Sequence, residues 1–179
     1  HLWSVQRRVG ASGVMDGIDG MNHQALSLIL GKATRAFDLK REDPRIVDLY
    51  GGGLGQSMLT ARRLCEVGCG FVAVSLQGWD MHGNINGSIK SQMTAFDQAY
   101  ARLIRDLDER GLLDSTLVCT ASEFGRTPKI NGNAGRDHWP KVFSTAMAGG
   151  GIKRGAIYGL SNATASEPEE DALGVEDWA

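Results

Sequence analysis

The chain has 179 residues, of which 42% are hydrophobic and 22% charged, and its formal charge is -2. These are ordinary globular values, sufficient for one domain with a real core. No Lys/Arg run forms a basic patch, which argues against nucleic acid as a partner, and no apolar stretch is long enough to span a bilayer.

The opening, HLWSVQRRVG, has no initiator Met and no apolar stretch behind Arg7-Arg8, so those arginines do not read as an export signal. Residues 1–20 are Gly-rich and aperiodic and are expected to be an irregular opening segment. A helix is predicted from Met21 to Phe37, where Leu26, Ile29, Leu30, Ala33 and Phe37 recur at helical spacing. Asp43-Pro44 reads as an N-cap with Pro in the first turn, opening a short helix through Asp48. Gly51-Gly52-Gly53 ends it; the run follows no strand and lacks the Lys-Ser/Thr of a phosphate-cradling loop, so it reads as a turn.

A further helix is predicted over about Ser57 to Val67, with Gly68 as its stop. Phe71 to Leu76 then reads as a buried strand, followed by the polar loop Gly78 to Asn84. In extended chain Asp80 and His82 project to the same side. Together they are either two ligands for one cation or an Asp that orients a His with no cation present.

The longest helix is predicted from about Ser88 to Arg110, with Ile89, Met93, Phe96, Tyr100, Leu103 and Leu107 as its apolar stripe. Asp97, Arg102, Arg105, Asp106, Asp108 and Glu109 lie mostly off that stripe and read as a solvated face. Leu117 to Ala121 reads as a second buried strand, and Val142 to Ala148 and Ala156 to Tyr158 as further strands. A helix between two strands implies a βαβ unit with parallel pairing. The expected fold is therefore α/β: three layers, a mainly parallel sheet flanked by helices. From Ser161 the chain is polar and acidic and is expected to be a solvated tail, with Val175 to Trp178 resembling the start of a helix.

In a parallel sheet the loops after both strands would share one edge, where such folds place ligands. The second loop carries Glu123, Arg126, Arg136, Asp137 and His138. Asp80, His82, Glu123, Asp137 and His138 are then the candidate ligands for a divalent metal such as zinc, calcium or manganese. Arg126 and Arg136 are the candidate catalytic contacts to an anion. The plainer reading pairs Glu123 with Arg126 and Asp137 with Arg136 as local braces. Cys65, Cys69 and Cys119 have no zinc-ribbon spacing and read as packing residues.

The succession ARRLCEVGCGFVAV, GWDMHGNI, RGLLDSTLV, SEFGRTP, GRDHWP and AGGGIKRGAIYG resembles a family of exported bacterial proteins of unknown function, related to the alkaline phosphatase and sulfatase superfamily. The likeness runs from about Tyr50 to Trp178. It implies a partial alkaline-phosphatase-like domain spanning residues 1–179, equivalent to the carboxyl-terminal half of the full-length proteins, and an exported or periplasmic location. It implies one metal on Asp80, His82 and His138. A second metal would take Glu123, but the next ligand position is Phe124, which cannot ligate, leaving Asp137 as a substitute.

The implied chemistry is hydrolysis of a phosphoric or sulfuric ester, with a small molecule or a glycan as substrate. The nucleophile would lie upstream, since no Cys-x-Pro-x-Arg signature occurs, and the chain alone is expected to turn over little or nothing. The other function compatible with the same residues is a catalytically silent pocket for an anion such as a sulfated glycan.

Overall fold

The computed structural model describes Gly20, residues 33–174 and Asp177. Among these residues the elements are α1 (Ala33–Ala36), α2 (Pro44–Tyr50), α3 (Leu54–Glu66) and α4 (Ile85–Glu109), followed by six short strands. The strands are β1 (Leu117–Thr120), β2 (Gly125–Arg126), β3 (His138–Trp139), β4 (Ala146–Gly149), β5 (Leu160–Ser161) and β6 (Pro168–Glu170). The helix expected from Met21 lies mostly outside the described residues, as do Val175, Glu176 and Trp178 of the final expected helix.

The helices start and stop where local chemistry directs. Asp43 accepts a hydrogen bond from the Arg45 backbone N–H at 2.9 Å, and Pro44 occupies the first turn, as its missing N–H allows. At the end of α3, Gly68 takes φ +90° so that its N–H reaches Cys65 O at 2.9 Å while Cys69 N–H reaches Leu64 O at 3.0 Å. That paired closure needs a left-handed residue, which glycine supplies without a Cβ clash.

The core lies between α2, α3 and α4. Tyr50, Met58, Leu59, Ala99, Leu103, Leu107 and Leu113 form one buried cluster. The stripe predicted on α4 is buried only in its C-terminal half; Met93 remains 41% exposed. Asp106, expected on the solvated face, is 2% exposed. It lies beside Arg62, itself 1% exposed, with Arg62 Nε 3.0 Å from Asp106 Oδ2. Tyr50 Oη donates to Asp106 at 3.0 Å and Arg110 Nε at 2.9 Å, while Arg62 also pairs with Glu42 and Glu66. Burial pushes the Asp106 carboxyl upward, but the Arg110 hydrogen bond, the Arg62 charge and the Tyr50 hydrogen bond together hold it below the ordinary range.

The parallel three-layer sheet is not what forms. The described strands make three separate two-stranded antiparallel ribbons, β1 with β4, β2 with β3, and β5 with β6. The stretch 71–76 joins no ladder, and Phe71 is 86% exposed. Its residues alternate between exposed and half-covered, which is why period-two patterning suggests a strand; alternation reports extended chain, not the presence of a partner. Without that strand the described residues contain no βαβ unit. β1 is likewise only half-covered, with Leu117 50% exposed, so it is not the buried strand expected.

Two boundaries move as well. The strand expected at 142–148 is confined to Ala146–Gly149, and the edge strand expected at 156–158 is displaced to Leu160–Ser161, leaving Ile157 95% exposed. The acidic tail folds back as β6, and Asn162 Oδ1 holds the turn by accepting from Ser166 N–H at 2.9 Å. Trp139 Nε1 donates to Ser166 O at 2.8 Å, tying this ribbon to β3. Among the described residues no helix is long and apolar enough to cross a membrane.

Candidate metal centre

The two polar loops meet, although no sheet edge brings them together. Asn84 N–H donates to Asn133 O at 3.1 Å, Ile85 N–H to Ala134 O at 2.9 Å and Arg136 N–H to Met81 O at 3.0 Å. Met81 is buried and anchors the first loop, so its neighbours Asp80 and His82 face outward together. Gly135 makes the close approach possible: a Cβ there would sit 2.1 Å from His82 C. In the β2–β3 ribbon Arg126 pairs across from His138, which sets His138 beside the first loop.

Three donor atoms from these loops form a nearly equilateral triangle. Asp80 Oδ1 lies 3.0 Å from His82 Nε2 and 2.9 Å from His138 Nε2, and the two imidazole nitrogens are 3.1 Å apart. Each of these atoms is either a hydrogen-bond donor or an acceptor, so three mutual contacts must include at least one like pair. The hydrogen bond from Arg126, then that from His138, hold the Asp80 carboxyl down to about 2, so it is an acceptor at neutral pH.

His82 is constrained from behind. Its Nδ1 lies 3.0 Å from Asp137 Oδ1, and the hydrogen bond from Asn131, then that from His82, keep the Asp137 carboxyl below its ordinary range. A carboxylate can only accept, so the hydrogen bond to Asp137 uses the Nδ1–H form of the ring, and in the tautomer protonated there alone the lone pair is at Nε2. That lone pair faces the Asp80 carboxylate. Arg126 already pairs with Asp80 Oδ1, so what the contact between Asp80 and His82 itself lacks is a proton or a cation. Donors about 3 Å apart can all lie about 2.0–2.1 Å from one ion placed just off their plane. Two imidazoles and a carboxylate suit zinc or manganese, whereas calcium prefers an all-oxygen shell.

Of the sequence candidates, Asp80, His82 and His138 are therefore joined at one point, exposed at 65%, 46% and 47% of their side chains. Asp137 supports His82 from the far side of the ring. Glu123 is outside the group: its exposed side chain makes no hydrogen bond or ion pair among the described residues, so the expected Glu123–Arg126 brace does not form. Arg126 pairs with Asp80 and also donates to Trp79 O at 3.4 Å and Arg136 O at 3.2 Å. Arg136 Nη1 donates to Thr127 O at 2.7 Å, and no Arg136–Asp137 ion pair forms. Both guanidinium groups are engaged by the protein's own acceptors, which suits positioning better than contact with an anion.

Two contributors escaped the sequence reading. Phe124, which occupies the position of a missing ligand in the resemblance, lies 4.1 Å from the His138 ring, centroid to centroid, and backs it. Asn131 accepts at Oδ1 from Asn133 N–H at 3.0 Å and Gly135 N–H at 2.9 Å, and donates from Nδ2 to Asp137 at 2.9 Å. Its signal was legible, since an Asn capping its own backbone two residues on is a common loop device and the run Asn131 to Gly135 offers it.

No curated protein and no solved structure matches this chain. Residues 18–179 match the family described as protein of unknown function DUF1501, and the chain belongs to that family.

Proposed function

We propose that Asp80, His82 and His138 hold one divalent cation, and that this centre serves hydrolysis of a phosphoric or sulfuric ester by an exported protein. The observation that carries the cation is the triangle of donor atoms, with Asp80 Oδ1 3.0 Å from His82 Nε2 and 2.9 Å from His138 Nε2 and the two imidazole nitrogens 3.1 Å apart. The ester chemistry is supported by the order of motifs from GWDMHGNI to GRDHWP. When bound, such an ion polarises a phosphoryl or sulfuryl oxygen and offsets negative charge developing there. Around it Asp137 fixes the His82 ring, Phe124 backs His138, and Arg126 holds Asp80 ionised. Exposure of all three ligands leaves the outward side free for a small-molecule or glycan ester.

A second reading is favoured by one observation. The hydroxyls on either side of the 123–126 stretch, Ser122 and Thr127, donate to Phe124 O at 2.8 Å and Lys129 O at 2.9 Å, so neither is poised as a nucleophile. The hydrolase reading therefore requires a nucleophile from outside these loops; without one the centre binds an anionic ligand and leaves it intact.

Elemental analysis of protein purified without chelators tests the cation, with close to one ion per chain expected in the wild type and none in His82→Ala or His138→Ala. A metal-free wild type that also takes up no added zinc or manganese sinks the proposal. Turnover of aryl phosphate and aryl sulfate by the loaded protein then separates hydrolysis from binding alone.

A further inference from the structure

We infer that Asn131 is a positioning residue for this centre, holding Asp137 so that His82 keeps one tautomer; the inference rests on the cation reading above. One Asp137 oxygen, Oδ1, receives both the Asn131 amide at 2.9 Å and His82 Nδ1 at 3.0 Å. Asp137 is exposed, so nothing in its packing restricts where its carboxylate points. The amide of Asn131 does so instead. Its own orientation is settled by the rest of its contacts: Oδ1 accepts two backbone N–H groups, which turns Nδ2 toward Asp137 and toward His82 O at 3.2 Å. Asn131 thus touches both partners of the Asp137–His82 hydrogen bond. The carboxylate then binds the Nδ1–H form of the ring and leaves Nε2 as the free lone pair. Partners behind a ligating imidazole typically alter metal affinity about 10–100-fold.

Asn131→Asp separates this role from a loop-holding one. The new carboxylate still accepts from Asn133 and Gly135, which preserves the turn, but it cannot donate to Asp137 and repels it. The tautomer of His82 is read in cation-free protein from long-range nitrogen–proton NMR of the imidazole, and affinity from calorimetric titration with zinc chloride. The expected result is a wild type with His82 protonated at Nδ1. The Asn131→Asp variant should show mixed tautomers, zinc binding at least about tenfold weaker, and an unchanged circular dichroism spectrum. The double variant Asn131→Asp/Asp137→Asn restores one amide and one carboxylate with their places exchanged, so His82 should regain the Nδ1–H tautomer. A wild type that binds zinc, beside an Asn131→Asp variant that binds it equally well with His82 unmoved, overturns the role of Asn131 alone. A wild type that binds no zinc overturns the centre itself.

Discussion

Arg62 and His82 each sit in a knot of ionisable side chains, and the two knots are built on opposite principles. Around Arg62, opposite charges are enclosed together: Asp106 and Glu42 face Arg62, Arg63 and Arg110, and Tyr50 supplies a further donor. Around His82, electron-rich atoms converge at the surface, with Asp80 and Asp137 at the two nitrogens of one imidazole and His138 beside it. The buried knot has its charges internally compensated. The exposed knot sets only Arg126 against two carboxylates, and its three possible ligand atoms converge on one point, which is an arrangement for receiving something positive. Burial alone would have drawn attention to the wrong cluster.

The contrast is broken most forcefully at Arg62. Removing one member of a buried ion network leaves the others desolvated and unpaired, so Arg62→Ala should cost about 3–5 kcal/mol in urea unfolding. A loss below about 1 kcal/mol would mean the network is solvated in solution. The same carboxylates predict an acid limb. Burial raises Glu42, but hydrogen bonds from Arg63 and Arg62 and the nearby arginine charges leave it below its ordinary value, and Asp106 is likewise lowered. Groups with depressed folded-state values contribute stability above their unfolded values and lose it as pH falls through the folded ones. Stability should therefore decline below about pH 4, in denaturant titrations repeated across pH, and the decline should flatten in Arg62→Ala.

At the exposed knot the expected effect is somewhat smaller and has the opposite origin. A cation that binds only the folded chain stabilises it by about 2.7 kcal/mol at a hundred times its dissociation constant. Zinc or manganese should raise the melting temperature of the wild type and leave His138→Ala unmoved. An equal rise in both proteins would locate the cation elsewhere.

How much of this was legible depended on whether the signal was local. Asp43-Pro44 and Gly68 specify a helix start and a helix stop through groups within a few residues, and both act as expected. The convergence of Asp80, His82 and His138 was also anticipated, but for a reason that does not hold. The expectation was two parallel strands ending at one edge; the loops are instead laced directly, 83 to 134 and 81 to 136, across the gap that Gly135 leaves. Phe71 to Leu76 shows why the sheet was misjudged: alternation marks an extended chain, whereas pairing depends on a partner far away in sequence. Asp106 was misjudged for a related reason. A helical stripe counts apolar positions and cannot register an arginine arriving from α3 to cover a carboxylate.

The finest discrimination rests on Glu123. By resemblance it is half of a second metal pair, yet its side chain is exposed, has no partner among the described residues and lies outside their cluster of possible ligands. The neighbouring Phe124 is turned onto the His138 ring, so the residue that replaces a ligand supports the first centre and does not build a second. Glu123→Ala should accordingly change unfolding free energy by no more than about 0.5 kcal/mol, as for an unpaired surface residue. It should also leave cation uptake at one per chain. The two measurements fail in different ways. A stoichiometry that falls from two to one on Glu123→Ala would establish a second ion and restore a two-metal arrangement. A single ion whose affinity drops in that variant would place Glu123 in the shell of the first, through a movement of the 121–124 stretch toward His138 when the ion binds.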